Sequence, residues 1–383
     1  MTSERYQKLR QLAKLMNQQN ITSIPVTRQL LECFDVVITP EENDFLLKMG
    51  RERFTFEQAV ADSNLTKDDF SNFLTGMLKK GLLWSEYAED GNEYFKLAPI
   101  LVGWFEIYLS DGQETEQKKE FARRVDELFK FWGKFNRFPV RNLLNMRVGK
   151  GTPHKQIFTA ARKEEKKSVK IQLNRKVEAS DTQIYPANSV FELIDKYGDK
   201  NEIAVMHCFC RQWHKMVGES CAFDYPAESC IVIGQRSKYL VNYGIARYIS
   251  KSEALKLIDL LQQKGAVHQV FHDREDINLP EIAICNCCWD CCGILGSYNR
   301  GLLPLFVKVH YLAKIVDIDR CTGCGVCVKF CPVNALTLKD DKIVLDASKC
   351  IGCGQCELKC ASGVIELFAN ERDVALPLVE KRK

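Results

Sequence analysis

No apolar run in the chain approaches the roughly 18 residues of a transmembrane helix, so no membrane span is expected. The opening Met1-Thr2-Ser3-Glu4-Arg5-Tyr6-Gln7-Lys8 is polar and lacks the apolar core of a signal peptide. Together these absences point to a cytoplasmic protein. Charge of one sign is also scarce. Lys and Arg number 54 against 50 Asp and Glu, and the net charge of +4 is too small to imply a nucleic-acid or membrane partner. No Gly-x-Gly-x-x-Gly follows a strand-like run, so no internal dinucleotide site is expected. Cysteine is the opposite case. There are 18 in 383 residues, and in a cytoplasmic chain that argues for metal ligation over a disulfide framework. The length allows two or three domains, and 46% hydrophobic residues suffice for sizeable cores.

Eight of the cysteines stand in two identical runs. Cys321, Cys324, Cys327 and Cys331 form C-x2-C-x2-C-x3-C, closed by Pro332, and Cys350, Cys353, Cys356 and Cys360 repeat it. Two-residue gaps let a tight loop wrap three corners of one cubane. Gly323, Gly325, Gly352 and Gly354 sit where backbone must approach inorganic sulfide in conformations a Cβ would block. The three-residue gap sends the fourth cysteine away, onto a following helical turn. Pro332 removes an N–H and fixes φ, and the second run has Ala361 in its place. The flanks repeat as well, 316–320 with 345–349 and 335–338 with 364–367. Lys339-Asp340-Asp341-Lys342 reads as a polar hairpin turn between two apolar stretches. Each half is thus strand, cluster loop, short helix, strand. Zinc motifs usually offer paired C-x2-C units without this three-plus-one pattern.

These residues closely resemble the bacterial dicluster ferredoxin over 312–370. In such ferredoxins the fourth cysteine of each run ligates the other cluster. The resemblance therefore implies one [4Fe–4S] cluster on Cys321, Cys324, Cys327 and Cys360. It implies a second on Cys350, Cys353, Cys356 and Cys331.

Residues 1–110 read as mostly helical with one hairpin. Thr39-Pro40 with Glu41 and Glu42, Thr55 and Thr66-Lys67-Asp68-Asp69 each mark a helix start. Gly81 ends the third helix, and Asp90-Gly91 turns a hairpin between 82–87 and 93–97. Three helices followed by a hairpin resemble a winged helix. Asp68 and Asp69 open the element that would meet DNA, which is the wrong sign for a phosphate-lined groove. A structural or partner-docking role is expected ahead of DNA binding. Cys33 stands alone and reads as a core thiol. One more helix is expected over 114–136, a domain boundary near 140, a turn at Lys150-Gly151-Thr152-Pro153 and a solvated charge run over 162–167.

The remaining nine cysteines form a second field over 180–300. Asn188 reads as the cap of a helix ending near Gly198, and Ser252 as the start of another ending at Gly265. The strand-like Ile203–Met206 runs into Cys208 and Cys210, with Cys221 and Cys230 following. The strand-like Ile282–Ile284 runs into Cys285, Cys287, Cys288, Cys291 and Cys292. Two strands that each end in Cys-x-Cys suggest sets that converge in space. Cys208, Cys210, Cys221 and Cys230 suffice numerically for one further [4Fe–4S] cluster. Cys285 to Cys292 offer another, or share ligands with the first set. Zinc and a thiol redox site are the competing readings, with iron–sulfur favoured. Arg211 and His214 are expected to bring hydrogen bonds or positive charge to the sulfurs. Trp213 and Trp289 read as packing residues.

The layout of Cys208-Phe209-Cys210-Arg211, Asn286-Cys287-Cys288 and the two runs resembles a family of anaerobe iron–sulfur proteins with a winged-helix-like N-terminus. The expectation is an α+β multidomain chain. Its parts are a winged-helix-like helical domain at 1–140, a central α/β cysteine-rich domain at 141–311 and a bacterial-type dicluster ferredoxin-like domain at 312–383. The expected function is iron–sulfur electron transfer, alone or as a subunit of an oxidoreductase, with a redox partner protein. A redox enzyme centred on the central cysteines and a redox-sensing winged-helix regulator are the alternatives.

Overall fold

The computed structural model describes residues 2–19, 24–135, 156–159, 190–273 and 280–378. The boundary near 140, the turn at 150–153, the charge run at 162–167 and Asn188 lie outside these residues.

Five helices open the chain: α1 (Ser3–Asn17), α2 (Arg28–Val37), α3 (Pro40–Met49), α4 (Phe56–Ala61) and α5 (Lys67–Lys79). Each begins on a threonine. The hydroxyls of Thr2, Thr27, Thr39, Thr55 and Thr66 accept N–H bonds that the first helical turn cannot place internally. Thr39 with Glu42 and Thr55 with Gln58 complete reciprocal capping boxes. Strands β1 (Leu83–Tyr87) and β2 (Glu93–Leu97) pair antiparallel around Gly91, whose φ is 80°. The helix–helix–helix–hairpin order is thus present. A π-helical turn (Ile100–Trp104), the short α6 (Phe105–Ile107) and the long α7 (Glu116–Phe135) follow.

The central elements are β3 (Gln156–Thr159), α8 (Val190–Gly198), β4 (Ile203–His207), α9 (Phe209–Met216), β5 (Glu228–Ile233), α10 (Gln235–Asn242), β6 (Arg247–Tyr248), α11 (Lys251–Gln263), β7 (Val267–His272), β8 (Glu281–Cys287), α12 (Leu295–Asn299) and β9 (Leu305–Ile315). The cap of α11 is Ser250, not Ser252, because the Ser250 hydroxyl takes the N–H of Glu253 at 3.1 Å. The last elements are α13 (Val326–Phe330), β10 (Leu336–Lys339), β11 (Lys342–Leu345), α14 (Gln355–Lys359) and β12 (Ile365–Leu376). Asp340 and Asp341, at φ 50° and 56°, form the two-residue turn between β10 and β11.

One eight-stranded sheet runs in the order β12-β9-β3-β7-β8-β5-β4-β6. Its pairs are antiparallel except β3 with β9. The strands that flank the C-terminal cysteine runs, β9 and β12, are therefore part of the central sheet. β9 begins at Leu305, ahead of the boundary expected at 312. The N-terminal helices pack on the same body. The buried hydroxyl of Tyr239 on α10 lies 2.7 Å from the Leu78 carbonyl oxygen and 2.9 Å from that of Leu83. Phe129 on α7 meets Trp213 on α9 with ring centroids 4.6 Å apart. Cys33 is fully buried in this core, as its isolation suggested.

Candidate metal centres

In the C-terminal segment the two cysteine loops cross. Cys360 lies near Cys327 together with Cys324 and Cys321, and Cys331 lies near Cys353 together with Cys356 and Cys350. An apolar cavity lined by Ala313, Val333, Leu336, Ile351 and Leu367 opens onto Cys331, Cys350, Cys353 and Cys356. The fourth cysteine of each run, Cys331 or Cys360, is the C-cap of the short helix and has extended backbone, so it leaves the helix instead of riding on a further turn.

These residues fit cubane clusters on several physical counts. A Cβ at Gly352 would fall 2.2 Å from the Tyr311 carbonyl oxygen, and one at Gly323 would fall 2.7 Å from that of Asp341. Backbone N–H groups point at sulfur: Ala335 to Cys331 at 3.1 Å, Val364 to Cys360 at 3.3 Å and Gly352 to Cys350 at 3.4 Å. Burial pushes the free thiols of Cys327, Cys331, Cys353 and Cys356 up, so thiolates there need a cationic partner. Cys324 lies at the exposed rim of the first group.

The sheet sets up the second field. β4 and β8 run parallel to each other with β5 antiparallel between them, so the ends of β4 and β8 and the start of β5 meet at one sheet edge. Ile231 pairs with Ile284, which places Cys230 beside Cys285, and the Cys208 N–H bonds to the Ala227 carbonyl at 2.9 Å. Cys208 lies in hydrogen-bonding contact with Cys210 and Cys230, and Cys210 with Cys292. Cys230 reaches Cys285, and Cys287 reaches Cys292. Six thiols thus form one continuous group. The hydrogen bonds from Cys210 and Cys230 hold Cys208 well below the ordinary thiol range, and those from Cys210 and Cys287 do the same for Cys292.

Cys221 does not join Cys208, Cys210 and Cys230. It stands with Cys288 and Cys291, its Sγ 3.5 Å from each, and those two lie 2.9 Å apart. The chain-order grouping into 208–230 and 285–292 is therefore replaced by a six-and-three partition in which the two sequence sets interleave. The reason is register: the loop after α9 carries Cys221 past the sheet edge, and β5 brings Cys230 back to it.

Arg211 sits between the groups. Its guanidinium donates to the Asn286 carbonyl at 2.9 Å, to the Pro226 carbonyl at 2.8 Å and to the Ser229 hydroxyl. Burial alone would lower its pKa, but charge on Cys208, Cys230, Cys291 and Cys288 carries it above the usual range. Its Nε is a buried donor with no acceptor among the described residues, and a sulfide or thiolate would satisfy it. His214 behaves differently from expectation. Its Nδ1 pairs with Glu219 Oε2 at 2.6 Å, its ring lies tilted against Trp213, and its buried Nε2 has no partner among the described residues. Trp213 and Trp289 are packing residues, the latter edge-on to Phe223 at 5.3 Å.

Sequence reasoning missed Gln269. Its Nε2 donates to Cys287 Sγ at 2.8 Å and lies 3.7 Å from Cys292 Sγ. Gln269 stands in β7, a strand buried along its whole length, among the polar His268 and His272, and nothing local to the strand marks it as a sulfur donor. The Gly293 N–H on Cys210 Sγ at 3.1 Å and the Ile294 N–H on Cys292 Sγ at 3.4 Å are backbone donors with no sequence signature.

Comparison with known proteins bears on the C-terminal segment. The 4Fe-4S dicluster domain family matches residues 320–368. The C-terminal segment is a ferredoxin-type domain. An uncharacterized polyferredoxin-like protein of Methanocaldococcus jannaschii is 38% identical over 52 residues, covering 13% of this chain and 32% of that protein. A ferredoxin-type protein, NapF, of Haemophilus influenzae is 57% identical over 28 residues, 7% of this chain and 16% of that protein. A probable ferredoxin of Methanosarcina thermophila is 57% identical over 28 residues, 7% of this chain and 48% of that protein. The chain thus spans less than half the length of each of these relatives. No solved structure matches the chain. Among the described residues, no helix is long and apolar enough to cross a membrane.

Proposed function

We propose that this chain is a cytoplasmic iron–sulfur electron-transfer protein, working with a redox partner protein. Cys321, Cys324, Cys327 and Cys360 hold one [4Fe–4S] cluster, and Cys350, Cys353, Cys356 and Cys331 hold the other. The observation that carries this reading is the crossing of the two runs, with each fourth cysteine standing among the sulfurs of the other loop. When bound, such clusters supply one-electron storage. The chain's own part is to hold them. Apolar walls exclude water from the second site, N–H donors at Cys331, Cys350 and Cys360 stabilise the reduced state, and Cys324 leaves the first site open at its rim for a partner.

The six-thiol group is the place for a further iron–sulfur cluster. It is ringed by Gln269, two backbone amides and Arg211, donors that favour a negatively charged sulfur-rich guest. The test is iron and sulfide content of anaerobically purified protein. The two ferredoxin sites account for about eight irons, and a third cubane raises this to about twelve. Protein without iron would dispose of the reading altogether. About eight irons would confine it to residues 320–368.

A further inference from the structure

Eight cysteines of this chain stand in a motif built for cubanes, and they give an internal standard for what such a site looks like here. In a cubane each thiolate holds a different corner iron, so the sulfurs point outward and stay apart. Accordingly, no three of the eight ferredoxin cysteines bring their sulfurs within 4.8 Å of one another, whereas Cys221, Cys288 and Cys291 do. Their mutual distances are 2.9, 3.5 and 3.5 Å. Three thiolates on one tetrahedral ion with metal–sulfur bonds of ~2.3 Å would lie roughly 3.8 Å apart.

From this contrast we propose that Cys221, Cys288 and Cys291 bind a single zinc-class divalent cation, separate from any iron–sulfur cluster, with its fourth position left to a ligand that is not one of this chain's described side chains. The proposal stands whether or not the electron-transfer reading holds. A dithiol made of Cys288 and Cys291 alone does not account for the third sulfur, which is equidistant from both. The surroundings suit a thiolate-rich ion. Tyr225, Leu261 and Ala266 wall the group with apolar surface, and the Cys291 N–H donates to Cys288 Sγ at 3.1 Å. Three thiolates on a divalent ion carry one net negative charge, which the Arg211 guanidinium balances.

The fourth position is open for a structural reason. Two polar side chains close to the group are turned elsewhere: Asp290 accepts the Ala222 N–H at 2.7 Å, and the Tyr225 hydroxyl donates to the Lys264 carbonyl at 3.4 Å. No imidazole or carboxylate among the described residues joins the three sulfurs. Three protein ligands plus water is the arrangement of zinc sites that exchange their fourth ligand, and a soft site of this kind takes a thiol in place of water.

The experiment is metal analysis and zinc K-edge absorption spectroscopy on the full chain purified anaerobically. The expected result is one zinc per chain with three sulfur neighbours and one lighter atom. Adding a small thiol should convert that shell to four sulfurs. Cys221→Ser should abolish the zinc while iron content and visible absorption stay at wild-type values. Because the spectrum is read on the wild type, the test survives a variant that does not fold. Absence of zinc, a four-sulfur shell before thiol is added, or loss of iron in a C221S protein whose far-ultraviolet circular dichroism is that of the wild type would each overturn the proposal. So would a Cys288–Cys291 disulfide in metal-free protein.

Discussion

Gly352 shows how tightly one residue can constrain a cluster loop. An added Cβ would meet the Tyr311 carbonyl oxygen at 2.2 Å, and the φ of 63° is one that L side chains rarely adopt. The obstruction is backbone of β9, which is fixed by pairing with β12, so it cannot swing aside. Gly352→Ala should therefore empty the second ferredoxin site. Iron should fall by about four per chain, one cubane's worth, with the first site retained. Iron analysis with spin quantification of the reduced protein checks this, and a full iron complement would show that the loop can yield. This residue was legible in the sequence because its constraint is local: a glycine between two ligands of one loop. Gln269 was not, because its partners Cys287 and Cys292 become neighbours only through the pairing of β7 with β8.

Among the elements, the hairpins and helix starts were readable for the same local reason. Threonine hydroxyls cap helices within three residues, and the β10–β11 turn lies wholly inside four. That turn holds a prediction. Asp340 and Asp341 both sit at positive φ, and the second position of such a turn favours glycine. Asp341→Gly should stabilise the protein by about 0.5–1 kcal/mol. The urea midpoint, followed by visible absorbance, should rise, and a fall would show that the aspartate does something other than turn the chain. The β7–β8 pair carries a pH-dependent counterpart. His268 is fully buried with its Nδ1 2.6 Å from Asn286 Oδ1, and burial lowers its pKa from 6.5 to about 4. Above pH 6.5 the ring is neutral in folded and unfolded chains alike, and the folded state keeps its full stability. As pH falls from 6.5 towards 4 the unfolded chain takes the proton first, and stability drops by up to about 3 kcal/mol. His268→Gln should flatten this part of the denaturation profile. An unchanged slope in the variant would assign the acid sensitivity to another group.

At the scale of the whole molecule, the partition of the central cysteines was out of reach of the sequence. Chain order put Cys221 with Cys208, Cys210 and Cys230; the sheet puts it with Cys288 and Cys291. Nothing within ten residues of Cys221 encodes that choice, which follows from the order β8-β5-β4 and the path of one loop. The same holds for how the ferredoxin-type domain meets the sheet. Gln355, between Cys353 and Cys356, donates to the Ala266 carbonyl at 2.7 Å and the Gln262 carbonyl at 3.2 Å. Ala266 in turn packs with Cys288 and Cys291, and Phe330, next to Cys331, lies against Gly265. The second ferredoxin site therefore faces the central cysteines, and Gln355 is one buried polar tie between them, the Asn299 amide on the Pro332 carbonyl at 3.0 Å being another. Gln355→Ala would remove the side-chain donor from the Ala266 and Gln262 carbonyls, the latter keeping the Gly265 N–H, at a cost of about 1–3 kcal/mol. Amide exchange should quicken over the last turn of α11 and over α14 while iron content stays unchanged. Loss of iron without faster exchange in α11 would mean that Gln355 supports its own cluster loop and that other contacts, among them Lys359 on the Gln263 carbonyl, hold the two centres together.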